Sequence, residues 1–231
     1  MPNTGRARHG AAMTDVEIRD ARGGDLVAGC ELLADSLGFG ARDALPPWLV
    51  QSVGIALGAF RDAELVGFSV AIPAEPDALF SCGLAVASAH RGKGIGRRLK
   101  LAQRERALAS GRTVIRWTAE PLAAAPLGLY LAGLGARLVD YGPGLYDEVR
   151  PSEIPQDDVT IEWRLTGPPP ANNRSGASVE VPFDHRELGA AELAEWRLRV
   201  RRAMSRALGC GSVGTGVAVD RASRRAWVLF S

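Results

Sequence analysis

The residues best suited to chemistry lie in Arg91-Gly-Lys-Gly-Ile-Gly-Arg-Arg98, where glycine recurs on alternate positions at 92, 94 and 96. Glycine carries no Cβ to shield its amide and adopts positive φ readily, so several N–H groups can converge on one oxyanion. The lead-in, Phe80 to Val86, reads as an apolar strand, and a helix-forming run follows the turn to Gly111. The helix N-terminus adds partial positive charge, and Arg91, Lys93, Arg97 and Arg98 add full charges. Such a turn suits a phosphate or pyrophosphate. Spacing excludes two other phosphate motifs. A dinucleotide fingerprint needs Gly-x-Gly-x-x-Gly, but Arg97 stands where its last glycine would be. A Walker A loop needs Gly-Lys followed by Ser or Thr after its spacer, and the sequence has none.

Elements that could position this turn can be read on both sides of it. Asp15 to Arg19 alternates like a short strand, and Asp25 is a good N-cap for an amphipathic helix through Leu37. Pro46-Pro47 opens a second helix expected to run through Leu57, since proline is tolerated in a first turn. Gly58–Arg61 and Glu64–Ile72 read as a β-hairpin around Asp62-Ala63, and Pro73 and Pro76 interrupt the chain before the strand at 79–86. The helix after the turn covers about 95–110, with Ile95, Leu99, Ala102 and Ala109 on one face and Arg97, Lys100, Arg104 and Glu105 toward solvent. Thr113–Thr118 is the next strand, stopped at Glu120-Pro121 because Pro121 donates no ladder bond. Helical spacing over Leu122–Leu134, and strands over Ala136–Tyr141 and Val159–Leu165, follow.

Residues 167–176, rich in Gly, Pro and Asn, read as a stiff spacer. Beyond it come a strand at Val179–Val181, an arginine-rich helix over Glu187–Leu208, and a hairpin pairing Val213–Val219 with Ala226–Phe230. The organisation expected is therefore a disordered extension over 1–14, with Met13 a candidate start, a main domain over 15–166, the linker, and an accessory segment over 177–231.

The chain has 231 residues, 46% of them hydrophobic and 23% charged, which excludes global disorder. Its net charge of +2 argues against a dedicated nucleic-acid binder. The sequence has no run of 18 apolar residues to span a membrane and no apolar signal core in its first ten residues. Cys30, Cys82 and Cys210 are scattered, odd in number and outside any metal spacing. A reduced, cytoplasmic setting with no metal is expected.

The motif Arg91-Gly-Lys-Gly-Ile-Gly96, with a strand before it and a helix after it, resembles the Arg/Gln-x-x-Gly-x-Gly/Ala signature of the GNAT superfamily of acyl-CoA-dependent N-acyltransferases. Gly94–Arg106, Ile115–Leu122, Tyr141–Tyr146, Ile161–Trp163 and Glu195–Arg197 are similar to one branch of predicted acetyltransferases within it. The resemblance spans most of 15–230 and implies an α/β (α+β) fold: a mixed, mostly antiparallel sheet flanked by helices, here with a small C-terminal α+β piece. It implies acetyl-CoA as acyl donor, with the backbone of Leu84 and Val86 pairing with the pantetheine arm and the amides of Arg91, Gly92, Lys93, Gly94, Gly96 and Arg97 holding the pyrophosphate.

The resemblance also implies direct attack by an amine of a small molecule or peptide, with an amide near Leu84 stabilising the oxyanion. Glu120, at the end of a central strand, is the candidate base; its structural alternative is a cap on the next helix. Tyr130 is the candidate acid, although it stands one position early for the family's Tyr-x-x-x-Gly spacing to Gly135, where Leu131 falls instead. Tyr141 and Tyr146 come second. Asparagines that the branch carries near Ala125–Tyr130 are missing, with Pro126 and Tyr130 in their place. Cys82 is expected to be a buried structural thiol, and His90 and His185 surface residues.

Arg197, Arg199, Arg201, Arg202 and Arg206 read as a solvated face over Leu193, Trp196, Val200 and Met204; alternatively they meet the 3′-phosphate of CoA or an acidic partner. Two other functions stay open: a catalytically degenerate acyl-CoA-binding sensor, and nucleic-acid binding through the arginine helix. No nucleic-acid or membrane partner is expected; a homodimer and the identity of the acceptor are left open.

Overall fold

The computed structural model describes residues 16–37, 46–144, 156–168 and 176–231. The extension over 1–14, Tyr146 and most of the 167–176 spacer lie outside the described residues. Two compact units are formed: the first comprises Met1–Ile72 and Cys82–Gln103, the second Pro73–Ser81 and Arg104–Ser231.

In the first unit, strand β1 (Glu17–Asp20) precedes helices α1 (Gly24–Leu37) and α2 (Pro47–Val53). Strands β2 (Ile55–Arg61), β3 (Glu64–Glu75) and β4 (Ala78–Val86) follow, then helix α3 (Ile95–Ala109). The ladder here runs β1-β2-β3-β4, with β1–β2 and β2–β3 antiparallel. The β2–β3 hairpin turns at Asp62 and Ala63, both at positive φ.

The second helix is shorter than its apolar spacing predicted. Gly54 ends it in extended conformation at φ −98°, ψ 170°, and Ile55–Leu57 leave it for the ladder, where Leu57, fully buried, lies opposite Ser69. Likewise β3 runs through Pro73 to Glu75, where a break was expected.

Two apolar clusters form among the described residues of this unit. Leu26, Leu33 and Val50 meet Phe68, Val70 and Ala85 in one. In the other, Leu57, Ala59 and Val66 meet Ile95 and Leu99, with Leu84 and Val86 against them. Gly67 permits that second contact, because a Cβ there would lie 3.1 Å from Ile95 and Leu99. The inner face of α3 departs from expectation: Lys100 and Gln103 are buried, at 1% and 0% exposure, whereas Ala109 is exposed.

In the second unit, strand β5 (Val114–Ala119) is followed by a short helix α4 (Ala124–Gly128) and a π turn over Leu129–Gly133. Strands β6 (Arg137–Gly142), β7 (Asp158–Arg164) and β8 (Ser178–Pro182) come next, then helix α5 (Ala190–Gly209) and strands β9 (Gly214–Asp220) and β10 (Arg225–Phe230). The ladder order is β4-β5-β7-β6-β9-β10-β8. The first residues of β4 pair with β5 in parallel, and the other pairs here are antiparallel. The fold is thus the mixed, mostly antiparallel sheet with flanking helices that the sequence implied. Helix α5 packs on β6 and β8, and β9 extends the ladder beyond β6 through Leu138–Gly214. Trp117 sits edge-on between Tyr130 and Trp163 at 5.1 and 6.5 Å.

Candidate active site

All the residues expected to hold the acyl donor fall in the first unit. Strand β4 ends at Val86, a 3₁₀ turn covers Ser88–His90, and Arg91 is extended at φ −66°, ψ 157°. Gly92 and Gly94 then take φ of 74° and 76°. An added Cβ would meet nothing within 4 Å at either position, so backbone conformation, not crowding, demands glycine there.

The side chains of the turn fold back and brace it. Arg91 Nε donates to the Val86 carbonyl at 2.9 Å, and Lys93 Nζ to the Ala89 carbonyl at 2.9 Å. The Arg98 guanidinium donates to the Val16 carbonyl. Residues 91–94 are exposed. The Arg98 amide closes onto Gly94 at 3.1 Å, so the amides of Ile95 and Gly96 before it have no carbonyl one turn back in the helix. Such amides at a helix N-terminus, beside a set of cations, fit an anionic phosphate linkage. Leu84 and Val86 anchor β4 by packing against the Ile95–Leu99 cluster.

Beneath this turn, α3 carries a polar chain into the same unit. Lys100 Nζ donates to Gln103 Oε1 at 3.3 Å, and Gln103 Nε2 to Ser69 Oγ at 2.9 Å. Burial pushes the Lys100 ammonium down to about 7, a nearby Cys82 opposing it. Burial also raises Cys82 to about 11, so it stays a thiol, although it is half-buried where full burial was expected.

The two candidate catalytic residues belong to the second unit. Glu120 follows the last residue of β5, its carbonyl accepting from the Ala123 amide at 3.1 Å and its Oε1 from the Leu122 amide at 3.1 Å. Its Oε2 is 2.8 Å from Arg197 Nη2, and its Oε1 is 3.5 Å from Nη1. The side chains are 27% and 8% exposed. Glu120 therefore caps the turn after β5 and also forms an ion pair with α5.

Tyr130 lies in the π turn and is half-buried. Burial pushes its phenol up to about 12. A π turn holds one more residue than an α turn, so the extra residue between Tyr130 and Gly135 is taken up by the wider turn. The sequence shows the irregular spacing but not the turn that absorbs it.

Arg197 is the residue that the sequence reading missed. It was counted with the solvated arginines, but the buried face of α5 is Arg197, Val200, Met204 and Ala207, while Trp196 is half-buried. The signal was available: 197 is one turn after Leu193 and one before Val200, in phase with the apolar stripe.

One turn further on, Arg201 grips Asp157 with Nε at 2.9 Å and Nη2 at 2.6 Å. Asp157 also accepts from the Tyr141 hydroxyl at 2.6 Å and the Gly144 amide at 3.1 Å. Burial first, then this carboxylate, pushes the Tyr141 phenol far up. His185, expected on the surface, is half-buried. Its imidazole is pushed down by burial, with Glu120 opposing. Arg199, by contrast, is exposed and stacks on Trp196 at 3.5 Å. Among the described residues no three His, Cys, Asp or Glu cluster as a metal site, and no helix is long and apolar enough to cross a membrane.

With the glycine turn, the parallel β4–β5 step and the antiparallel remainder in place, the architecture is the mixed, mostly antiparallel sheet of GNAT folds. Residues 31–136 match the model of the acetyltransferase (GNAT) family. Solved structures agree on the fold. IAA acetyltransferase from Bacillus cereus is 20% identical, with a TM-score of 0.55 over 64% of this chain and 99% of its own. A GNAT family acetyltransferase from Elizabethkingia anophelis with acetyl-CoA bound is 17% identical, with a TM-score of 0.54 over 65% and 99%. The ribosomal-protein-S18-alanine N-acetyltransferase from Escherichia coli is 14% identical, with a TM-score of 0.55 over 68% and 97%. No curated protein matches the chain in sequence.

Proposed function

We propose that this protein transfers an acetyl or other short acyl group from acyl-CoA to an amine of a small molecule or peptide, by direct attack. The observation that carries the reading is the exposed turn with Gly92 and Gly94 at positive φ, set between β4 and the N-terminus of α3. When bound, acyl-CoA supplies the activated thioester. The amides of Arg91, Gly92, Lys93, Gly94, Gly96 and Arg97 hold its pyrophosphate, and the backbone of Leu84 and Val86 pairs with its pantetheine arm. The amide near Leu84 donates to the carbonyl oxygen as charge develops there. Holding amine and thioester together supplies much of the rate.

Glu120 is the proposed acceptor of the amine's proton and Tyr130 the proposed donor to the leaving thiolate. Burial keeps the Tyr130 phenol protonated. Amines such as an alanine of a protein or peptide, the acceptor named for the Escherichia coli structure, belong in the first acceptor panel. The proposed setting is cytoplasmic, without metal and without nucleic acid or membrane.

The test is direct. Acetyl-CoA is expected to raise the melting temperature of the purified protein, and an amine panel is expected to release free CoA thiol. No thermal stabilisation by acetyl-CoA overturns the reading. A second reading, an acyl-CoA-binding module without turnover, is favoured by one observation: the Glu120 carboxylate is already engaged by Arg197 and the Leu122 amide. Stabilisation by acetyl-CoA with no thiol release across the panel would select it.

A further inference from the structure

Helix α5 sends two arginines into the second unit one turn apart, and they meet two different carboxylates. Asp157, the partner of Arg201, has a side chain with no exposed surface and also accepts from Tyr141 and Gly144. That pair is a closed structural brace. Glu120, the partner of Arg197, keeps 27% of its side chain exposed. Its Oε2 is held by the guanidinium and its Oε1 by the Leu122 amide, so both oxygens are oriented while part of the side chain stays exposed.

The cost of this arrangement falls on Arg197. Its Nε is buried and has no hydrogen-bond partner among the described residues. A buried donor without a partner is destabilising, and an apolar residue in this stripe would avoid it. An arginine that α5 keeps in its inner stripe at a loss, against a carboxylate that remains accessible, serves the carboxylate.

We propose that Arg197 is a positioning residue for acyl transfer: it fixes the Glu120 carboxylate toward the acceptor amine, which makes α5 a working part of the transferase. The inference rests on the acyltransferase reading with Glu120 as proton acceptor. In that step the nitrogen's proton passes to the carboxylate, and the nitrogen's electron pair forms the new C–N bond. The C–S bond breaks, its electrons leaving with the CoA sulfur, which takes up a proton. Arg197 exchanges no atom; it orients the oxygen that receives the proton.

The experiment measures thiol release by the full chain with acetyl-CoA and its best amine. Arg197→Met is expected to lower kcat at least tenfold with the KM for acetyl-CoA unchanged. Millimolar guanidinium is expected to restore part of the loss, which a purely structural defect would not permit. Arg199→Met, on the exposed face, is the control and should stay within twofold of wild type. If Arg197→Met does not fold, Arg197→Lys takes its place: a fall in kcat without a change in that KM supports the proposal, and an unchanged kcat overturns it. A wild-type protein without turnover removes the acyltransferase reading and the inference with it. An active wild type beside an equally active Arg197 variant, or one that guanidinium does not rescue, overturns the inference alone.

Discussion

Each unit buries a cation, and the two solve the problem in opposite ways. Lys100 in the first unit is 1% exposed and faces an amide oxygen, Gln103 Oε1; burial pushes it down to about 7, so it loses its charge readily. Arg197 in the second is 7% exposed and faces a carboxylate. A guanidinium cannot be deprotonated in a protein, so it must keep an anion beside it. A buried lysine beside an amide oxygen answers to pH, whereas an arginine with a carboxylate answers to the loss of its partner.

The largest effect should come from breaking the arginine pair. Glu120→Gln leaves a buried guanidinium without its counter-charge and is expected to cost about 3 kcal/mol, read as a lower denaturation midpoint. Arg197→Met added to Glu120→Gln should recover most of that loss, because both charges are then gone. A double variant as unstable as the single one would break the comparison. The same cycle guards the catalytic test, since a slow Glu120→Gln variant must first be shown to be folded.

The lysine should show itself through pH. Its folded pKa lies below its unfolded one, so between about 7 and 9 the unfolded chain binds the extra proton and stability rises with pH, by about 1.4 kcal/mol per unit. Above about 9 the rise should stop, because Cys82, raised to about 11 when folded, begins to ionise only in the unfolded chain. Tyr130, raised to about 12, then adds a decline above about 10. Lys100→Met is expected to abolish the rise between pH 7 and 9 and to be the more stable protein at pH 6, by roughly 2 kcal/mol. Denaturation series at pH 6, 7, 8 and 9 decide it; equal slopes in the two proteins would refute the reading of Lys100.

The smallest effect concerns the neutral partners. Ser69→Ala removes the acceptor of Gln103 Nε2 and is expected to cost about 1 kcal/mol, leaving the pH slope unchanged. A changed slope would mean that Ser69 acts on the lysine's charge and not merely on the amide.

These buried cations also mark where sequence reading stops. The glycine turn was legible, because positive φ at 92 and 94 is what alternating glycines permit, and so were the strands and the C-terminal hairpin. Lys100 and Arg197 were both assigned to solvent, since charge is a surface signal until a partner is known. Gln103 and Ser69 are 3 and 31 positions from Lys100, and Glu120 is 77 from Arg197; no local pattern names such partners. The second helix was drawn too long because Ile55-Ala-Leu57 suits helix and strand alike, and pairing with β3 decides it. Glu120 was placed correctly at the end of a strand, but its engagement by α5 depends on residues far along the chain.

The position of β8 in the ladder has a consequence for how the second unit is made. Its ladder partner is β10, and synthesis must lay down all of α5 and β9 before that partner exists. Glu120 likewise waits for Arg197 until most of the chain has been built. Pairings between such distant segments carry a loop-closure cost and form slowly. The second unit should therefore reach its native form only after β10 has been made, and slowly.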